Sequence, residues 1–283
     1  MIHMIILHDE PYIDDVVNFL NKSLIKPVDD VVKENDYVLL WHSNEIKLVV
    51  KARRNLVVST VRGVLRMSEI IGKEYGSKIV TNLGYVFYIT KPDIMDILLK
   101  MPRVTQPIYP KDSSTLLIML NIRPGSRVLE AGLGSGYATV ILAMHAGPFG
   151  QVITVEKSSK YIRVAKETLR AMGVYDNVDV INGDVSRIKL PSEYFNSALL
   201  DMGDPWNAIP NIINSLKHGG NIAVYVPTIS QVERVISSLM ASGFIDIKMI
   251  EVNWREWKTT INEVRPKTWN LSHTGFIIVA KRP

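Results

Sequence analysis

The chain has 283 residues, 47% of them hydrophobic, and a formal net charge of +5. That is enough length and apolar content for one large domain, or one large and one small, and it excludes global disorder. There is no cysteine, which excludes disulfides, thiolate metal ligands and a cysteine nucleophile, while the positive balance permits a polyanionic partner without demonstrating one.

Residues 1–34 read as an N-terminal extension. Positions 1–8 are apolar but short, lack a basic flank and run into Asp9 and Glu10, a poor signal peptide. A helix is expected over 13–24, where Val16, Val17 and Leu20 fall at helical spacing and Pro27 stops it. No apolar run approaches the roughly 20 residues that span a bilayer, so a cytoplasmic protein without a membrane partner is expected. From 35 to 92 the texture is β-rich. Short runs at 37–41, 46–50, 56–60, 78–81 and 85–89, punctuated by Gly63, Gly76 and Gly84, predict a small barrel or sandwich.

The remainder, 93–283, opens with a linking helix at 92–101 and then alternates. Strand-like runs occur at 127–130, 151–155, 178–181, 197–200, 221–226, 245–250 and 275–280, with helical segments between the first five. One helix runs from Ser158, a plausible N-cap, to Gly173, with Ile162, Ala165, Leu169 and Met172 inward. Alternation of this kind predicts an α/β, doubly wound, mostly parallel seven-stranded sheet. The last two strands lack an intervening packed helix and are expected as an antiparallel pair at its edge.

The first strand of this domain runs into Glu130-Ala-Gly132-Leu-Gly134-Ser135-Gly136. Glycines there permit a tight turn and close approach of a ligand to the amides of the following helix. A dinucleotide fingerprint needs G-x-G-x-x-G, and from either Gly132 or Gly134 the last position is not glycine, so the register fails for NAD. Glu156 closes the second strand, Asp184 the third and Asp201 the fourth. Any one of them reads equally as a solvated loop acid. Three at successive carboxyl ends of parallel strands stand along the edge where open α/β sheets bind ligands.

The E-x-G-x-G-x-G turn resembles the first motif of class I S-adenosylmethionine methyltransferases, whose Rossmann-like sheet it implies here. In that resemblance Glu156 accepts the ribose hydroxyls and Asp184 the adenine amino group. Beyond the fourth strand, Asp201, Pro205 and Trp206 match the D-x-x-x-P-W motif of the tRNA adenine-N1 methyltransferase family, which modifies adenine 58. Pro102 to Asp112 resembles its R-x-T-Q-x-x-Y-P-K-D stretch, and Arg265-Pro266 with His273-Thr-Gly275 its R-P…H-T-G ending. The resemblance implies that Gln106, Ile108, Glu130, Gly132, Gly134, Ser135, Gly136, Glu156, Asp184 and Val185 hold S-adenosyl-L-methionine. It implies Asp201 as the catalytic residue, Tyr109, Pro205, Trp206 and His273 on the substrate side, no metal, tRNA as partner and a homotetramer.

Basic and aromatic residues are mixed at Trp254, Arg255, Trp257, Lys258, Arg265, Lys267 and Trp269, a composition that suits stacked RNA bases and equally a subunit interface. Arg53, Arg54, Arg62, Arg66 and Lys73 in the small domain suit phosphates, or a merely solvated face. Two other readings stay open: a protein-isoaspartate methyltransferase, whose glycine motif is similar, and a non-catalytic tRNA-binding partner subunit, which would be expected to lose the acids.

Overall fold

The structure, a computed structural model, describes residues 30–269 and 272–283; the helix expected over 13–24 lies outside them. The chain divides into two units between Pro92 and Asp93. In the first, β1 (Tyr37–Ser43), β2 (Ile46–Lys51), β5 (Lys78–Val80) and β6 (Val86–Thr90) form an antiparallel sheet in the order β2-β1-β6-β5, and β3 (Val57–Thr60) pairs with β4 (Gly63–Arg66). Alternate residues Val38 and Leu40 of β1 and Phe87 and Ile89 of β6 turn inward onto Leu65, Met67 and Val32. Val32 is thus part of this core, and the boundary expected at 34/35 falls inside the unit. Strand β4 escaped the sequence reading because it opens on Gly63. That residue has φ +104°, and a Cβ there would lie 2.7 Å from Asn82 Oδ1, so the turn into β4 needs glycine.

The second unit begins with two helices, α1 (Ile94–Leu98) and α2 (Pro110–Met119). The alternating region follows: β7 (Arg127–Ala131), α3 (Tyr137–Ala146), β8 (Gln151–Glu156), α4 (Ser159–Ala171), β9 (Val178–Asn182), β10 (Phe195–Leu200), α5 (Ile209–Ile212), β11 (Leu216–Val226), α6 (Ile229–Ala241), β12 (Ile245–Ile250) and β13 (Phe276–Lys281). The seven strands lie in the order β12-β13-β11-β10-β7-β8-β9. Strands β7 and β10 are buried almost throughout, as central parallel strands must be when helices cover both faces. The last two strands form the expected antiparallel pair at the edge of the sheet. β13 inserts between β11 and β12, antiparallel to both, so it stands one position in from the edge.

Helix ends follow their local chemistry. Ser158 accepts the Tyr161 amide at the start of α4, and Gly173 takes φ +68° just beyond its end. Ala165 and Leu169 are buried, whereas Ile162 and Met172 are only half-buried. Among the described residues no helix is long and apolar enough to cross a membrane.

From β7 the chain steps outward through β8 and β9, then returns to place β10 on the other side of β7. The crevice beyond the carboxyl ends of β7 and β10 is therefore the topological switch point. The glycine turn enters α3 there, with Gly136 at the N-cap in the left-handed region. A Cβ on Gly136 would lie 3.2 Å from Ala165 Cβ of α4. Gly136→Ala is predicted to lower unfolding free energy by about 1–2 kcal/mol, measured by urea titration. Unchanged stability would show that this close approach is not required.

Candidate active site

A cavity of about 720 Å³ opens at the switch point. It is lined by the glycine turn (Gly132, Gly134), the ends of β8 (Glu156), β9 (Asp184, Val185) and β10 (Asp201), and the loop before α2 (Thr105, Gln106). Its size is that of small-molecule sites. Two backbone contacts close its floor: the Asp201 amide donates to the Ala131 carbonyl at 2.6 Å, and the Gly132 amide to the Asp201 carbonyl at 3.4 Å. A Cβ on Gly132 would lie 3.2 Å from both Asp201 O and Glu156 Oε2, and one on Gly134 would lie 2.7 Å from Thr105 Oγ1. The turn is a cradle that side chains would fill.

The acids differ in electrostatic state. Glu156 accepts the Ser158 amide at 2.8 Å on Oε1 and the Gly134 amide at 3.3 Å on Oε2. Asp184 is held down to about 2 by the Ser186 hydroxyl (2.6 Å) and amide (3.0 Å), with Lys157 adding at 3.1 Å. Burial pushes Asp201 up to about 7. Glu130 is fully buried beneath the turn. Desolvation raises it to about 8, against the lowering effect of the Thr139 hydroxyl, which donates to Oε2 at 2.6 Å.

Not every residue implied by the resemblance reaches the cavity wall. Gln106, Gly132, Gly134, Glu156, Asp184, Val185 and Asp201 line it. Glu130 lies behind it, and Ser135 is buried, its hydroxyl accepting the Val104 amide at 3.0 Å so that the loop stays against the turn. Gly136 packs on α4. Ile108 is buried beside a separate apolar cavity of about 190 Å³ with Leu98 and Ile141. Tyr109 caps α2 and accepts the Gln106 side-chain amide at 2.8 Å.

Three residues expected on the substrate side lie away from the cavity wall. A 3-10 turn at Pro205–Asn207 buries Pro205 and sends Trp206 onto α6, where Arg234 lies 5.1 Å from its ring centre; Asp204 and Asn207 face the cavity instead. His273 is occupied at both ring nitrogens, Nδ1 with Glu251 at 2.7 Å and Nε2 with the Pro227 carbonyl at 3.0 Å. Those two acceptors raise its pKa and make it a strut between β12 and the chain leaving β11. The sequence reading also missed Lys157, Tyr161, Ser186 and Arg187 on the wall. Lys157 directly follows Glu156, and Ser186 stands two positions beyond Asp184, so both were findable beside the strand-end acids.

Sheet order, the reversed strand and an acid-lined crevice at the switch point define a methyltransferase of the Rossmann-like class. The solved structure of an S-adenosylmethionine-dependent O-methyltransferase from Thermotoga maritima superposes with a TM-score of 0.85 at 32% identity, covering 89% of this chain and 95% of that one. The tRNA (m1A58) methyltransferase TrmI of Aquifex aeolicus gives 0.80 at 30%, covering 89% and 99%. The chain belongs to the GCD14 family, described as the tRNA methyltransferase complex GCD14 subunit, which matches residues 84–274. A relative from Methanocaldococcus jannaschii, named tRNA (adenine(57)-N(1)/adenine(58)-N(1))-methyltransferase TrmI, is 33% identical over 247 residues, 78% of this chain and 86% of that protein.

Two stretches quoted for the resemblance, Pro110-Lys-Asp112 and His273-Thr-Gly275, meet in space. Lys111 and Asp112 are buried, and Lys111 Nζ donates to Asp112 Oδ1 (2.9 Å), the Val252 carbonyl (2.6 Å) and Thr274 Oγ1 (2.6 Å). Thr274 Oγ1 donates in turn to Asp112 Oδ2 at 2.7 Å, and the Tyr225 hydroxyl donates to the same oxygen at 3.4 Å. All three ammonium protons are therefore used. Burial raises the Tyr225 phenol, and the charges of Asp112 and Asp201 add to it. This clamp fixes α2, whose preceding loop carries Gln106, to the β11 and β13 side of the sheet. Lys111→Met leaves Asp112 buried without its countercharge, and is predicted to cost about 3–5 kcal/mol in denaturant unfolding. A loss below about 1 kcal/mol would show that the clamp contributes little.

Proposed function

We propose that the protein transfers the methyl group of S-adenosylmethionine to N1 of adenine 58 in tRNA. The observation that carries this reading is the convergence of Glu156, Asp184 and Asp201 on one cavity at the glycine turn, in a chain of the GCD14 family. The residues suit the methyl donor. Glu156 offers a carboxylate to ribose hydroxyls, Asp184 and Val185 line the place for the base, and the Gly132–Gly134 cradle admits a ligand against the backbone. When bound, S-adenosylmethionine supplies a methyl carbon attached to a sulfonium, open to in-line attack.

Adenine N1 is a neutral nucleophile in the ring plane, and it is occupied in a paired base, so the target must leave its stack. Asp201 stands at the end of β10 on the cavity wall. In this reading its ionised carboxylate accepts a hydrogen bond from the adenine N6 amino group. That shifts electron density toward N1 and favours the cationic product. The remaining residues contribute mainly by alignment. The proposed assembly is a homotetramer in the cytoplasm.

The test is methylation of transcribed tRNA by the purified protein with N1-methyladenosine mapped by mass spectrometry, an isoaspartyl peptide serving as the competing acceptor. Methyl on the peptide and none on tRNA would reject the proposal; modification at 57 beside 58 would place the chain with its archaeal relative. Asp201→Ala is expected to keep S-adenosylmethionine affinity in calorimetry while turnover falls about a hundredfold or more.

The pH dependence has a definite sign. Only the ionised Asp201 carries the negative charge that strengthens the hydrogen bond from the amino group and favours the cationic product, so single-turnover rates should rise as pH passes about 7 and then level. A raised folded value, against 3.8 unfolded, favours folding below pH about 4 and loses that contribution as pH climbs through about 7. Asp201→Asn should therefore stabilise the ligand-free protein at pH 8 while abolishing most activity. A rate flat from pH 6 to 9 would contradict the assignment.

A further inference from the structure

Helix α4 buries Ala165, Thr168 and Leu169. Its other side carries Lys160, Arg163, Lys166 and Arg170, spaced so that they share an arc of roughly 120° along about 15 Å of helix axis. Lys160, Arg163 and Arg170 are exposed and Lys166 is half-buried. Among the described residues no carboxylate pairs with Lys160, Arg163 or Lys166, and Arg170 lies 4.7 Å from the Tyr175 ring centre. Two more cations stand where this row meets the cavity. Lys157 and Arg187 line the cavity wall, both beside Asp184.

Folding does not call for this row. Lys160 with Arg163, Arg163 with Lys166 and Lys166 with Arg170 are like-charge neighbours three or four positions apart, which weaken a helix rather than support it. Lys160 also stands in the first turn, which holds no acid, against the positive end of the helix dipole. Glu167 is the one acid on the helix. The positive charge of the chain is concentrated here. Residues 93–283 contain 21 lysines and arginines and 17 carboxylates, while 157–170 contain five and one, so the remainder of the unit is balanced at 16 of each. Residues 1–92, with 12 and 11, add almost nothing. An unpaired cationic row on an otherwise balanced surface fits a polyanion laid along it, because every phosphate met by a lysine or arginine releases its counterions.

We infer that the outer face of α4 is a track for the tRNA backbone, on which Lys160, Arg163 and Lys166 meet successive phosphates and Arg170 marks the far end. The basic residues singled out in the sequence at 53–73 and 254–269 are not part of it. The inference rests on the reading that tRNA is the substrate, and deepens it by giving the strand that carries the target base a path away from the cavity rim.

The test compares full-length wild type with the double variant Lys160→Gln/Arg163→Gln and with Lys217→Gln/Lys281→Gln, which removes the same charge elsewhere on the unit. Fluorescence-anisotropy titrations with tRNA over a range of salt are read beside S-adenosylmethionine calorimetry, single-turnover rates at saturating tRNA, urea unfolding and sedimentation. The α4 variant should weaken tRNA binding about tenfold at low salt and flatten the slope of log affinity against log salt by about one to two. The Lys217/Lys281 variant should change affinity by less than about threefold. Methyl-donor affinity and the saturated rate should hold in both. The unfolding midpoint of the α4 variant should not fall, because two like-charge contacts are relieved. An α4 variant that binds tRNA as tightly as wild type, or no more weakly than the Lys217/Lys281 variant, overturns the proposal. A change in its oligomer mass also overturns it, assigning the face to a second copy of the chain. Wild type that neither binds nor methylates tRNA defeats the substrate reading itself. Wild type that methylates, beside an α4 variant that binds equally well, defeats only the track.

Discussion

The 2.6 Å hydrogen bond from the Asp201 amide to the Ala131 carbonyl joins the ends of the two central strands where the sheet changes direction. Everything in the site is placed relative to that junction. To one side the glycine turn leaves β7 with no side chain at Gly132 to fill the crevice, and to the other β10 delivers Asp201. Parallel strands of equal register then bring Glu156 and Asp184 to the same rim from β8 and β9. A ligand here meets three carboxylates in sequence along one edge, which is the way an open α/β sheet builds a nucleoside site.

Those carboxylates are not interchangeable, because their surroundings differ. Asp184 sits in a turn that hands it a hydroxyl, an amide and a lysine, and it stays ionised far below neutrality. Asp201 is desolvated at the strand end, so its charge is costly and its ionisation falls near pH 7. In the proposed reaction a desolvated acid at this point would stand where charge develops. Behind the site, the Lys111–Asp112–Thr274 clamp does the opposite. It buries an ion pair whose every donor is satisfied, and so holds α2 and its preceding loop in one position.

Much of this was legible in the chain because it leaves local traces. The βα alternation, the Ser158 and Gly173 ends of α4, the glycine turn and the three strand-end acids all declare themselves within a few residues. What was not legible depends on partners far away in sequence. Strand β4 hides behind Gly63. β13 chooses its place between β11 and β12 by long-range pairing that no periodicity records. Lys111 and Thr274 are separated by 163 positions, so their motifs looked like independent landmarks rather than two halves of one contact. The motifs do not reveal the surroundings of Trp206 and His273 within the fold. The structure gives them neighbours, Arg234 for one and Glu251 with Pro227 for the other, that a linear reading has no means to see.

The most direct measurement is a crystal structure of the protein soaked with S-adenosylhomocysteine. The account predicts a ribose whose hydroxyls lie within hydrogen-bonding distance of the Glu156 carboxylate, a base against Asp184 and Val185, and the sulfur facing Asp201 across the crevice. A nucleoside bound away from this rim, or bound here with Glu156 still holding the Gly134 amide and no ribose contact, would contradict it.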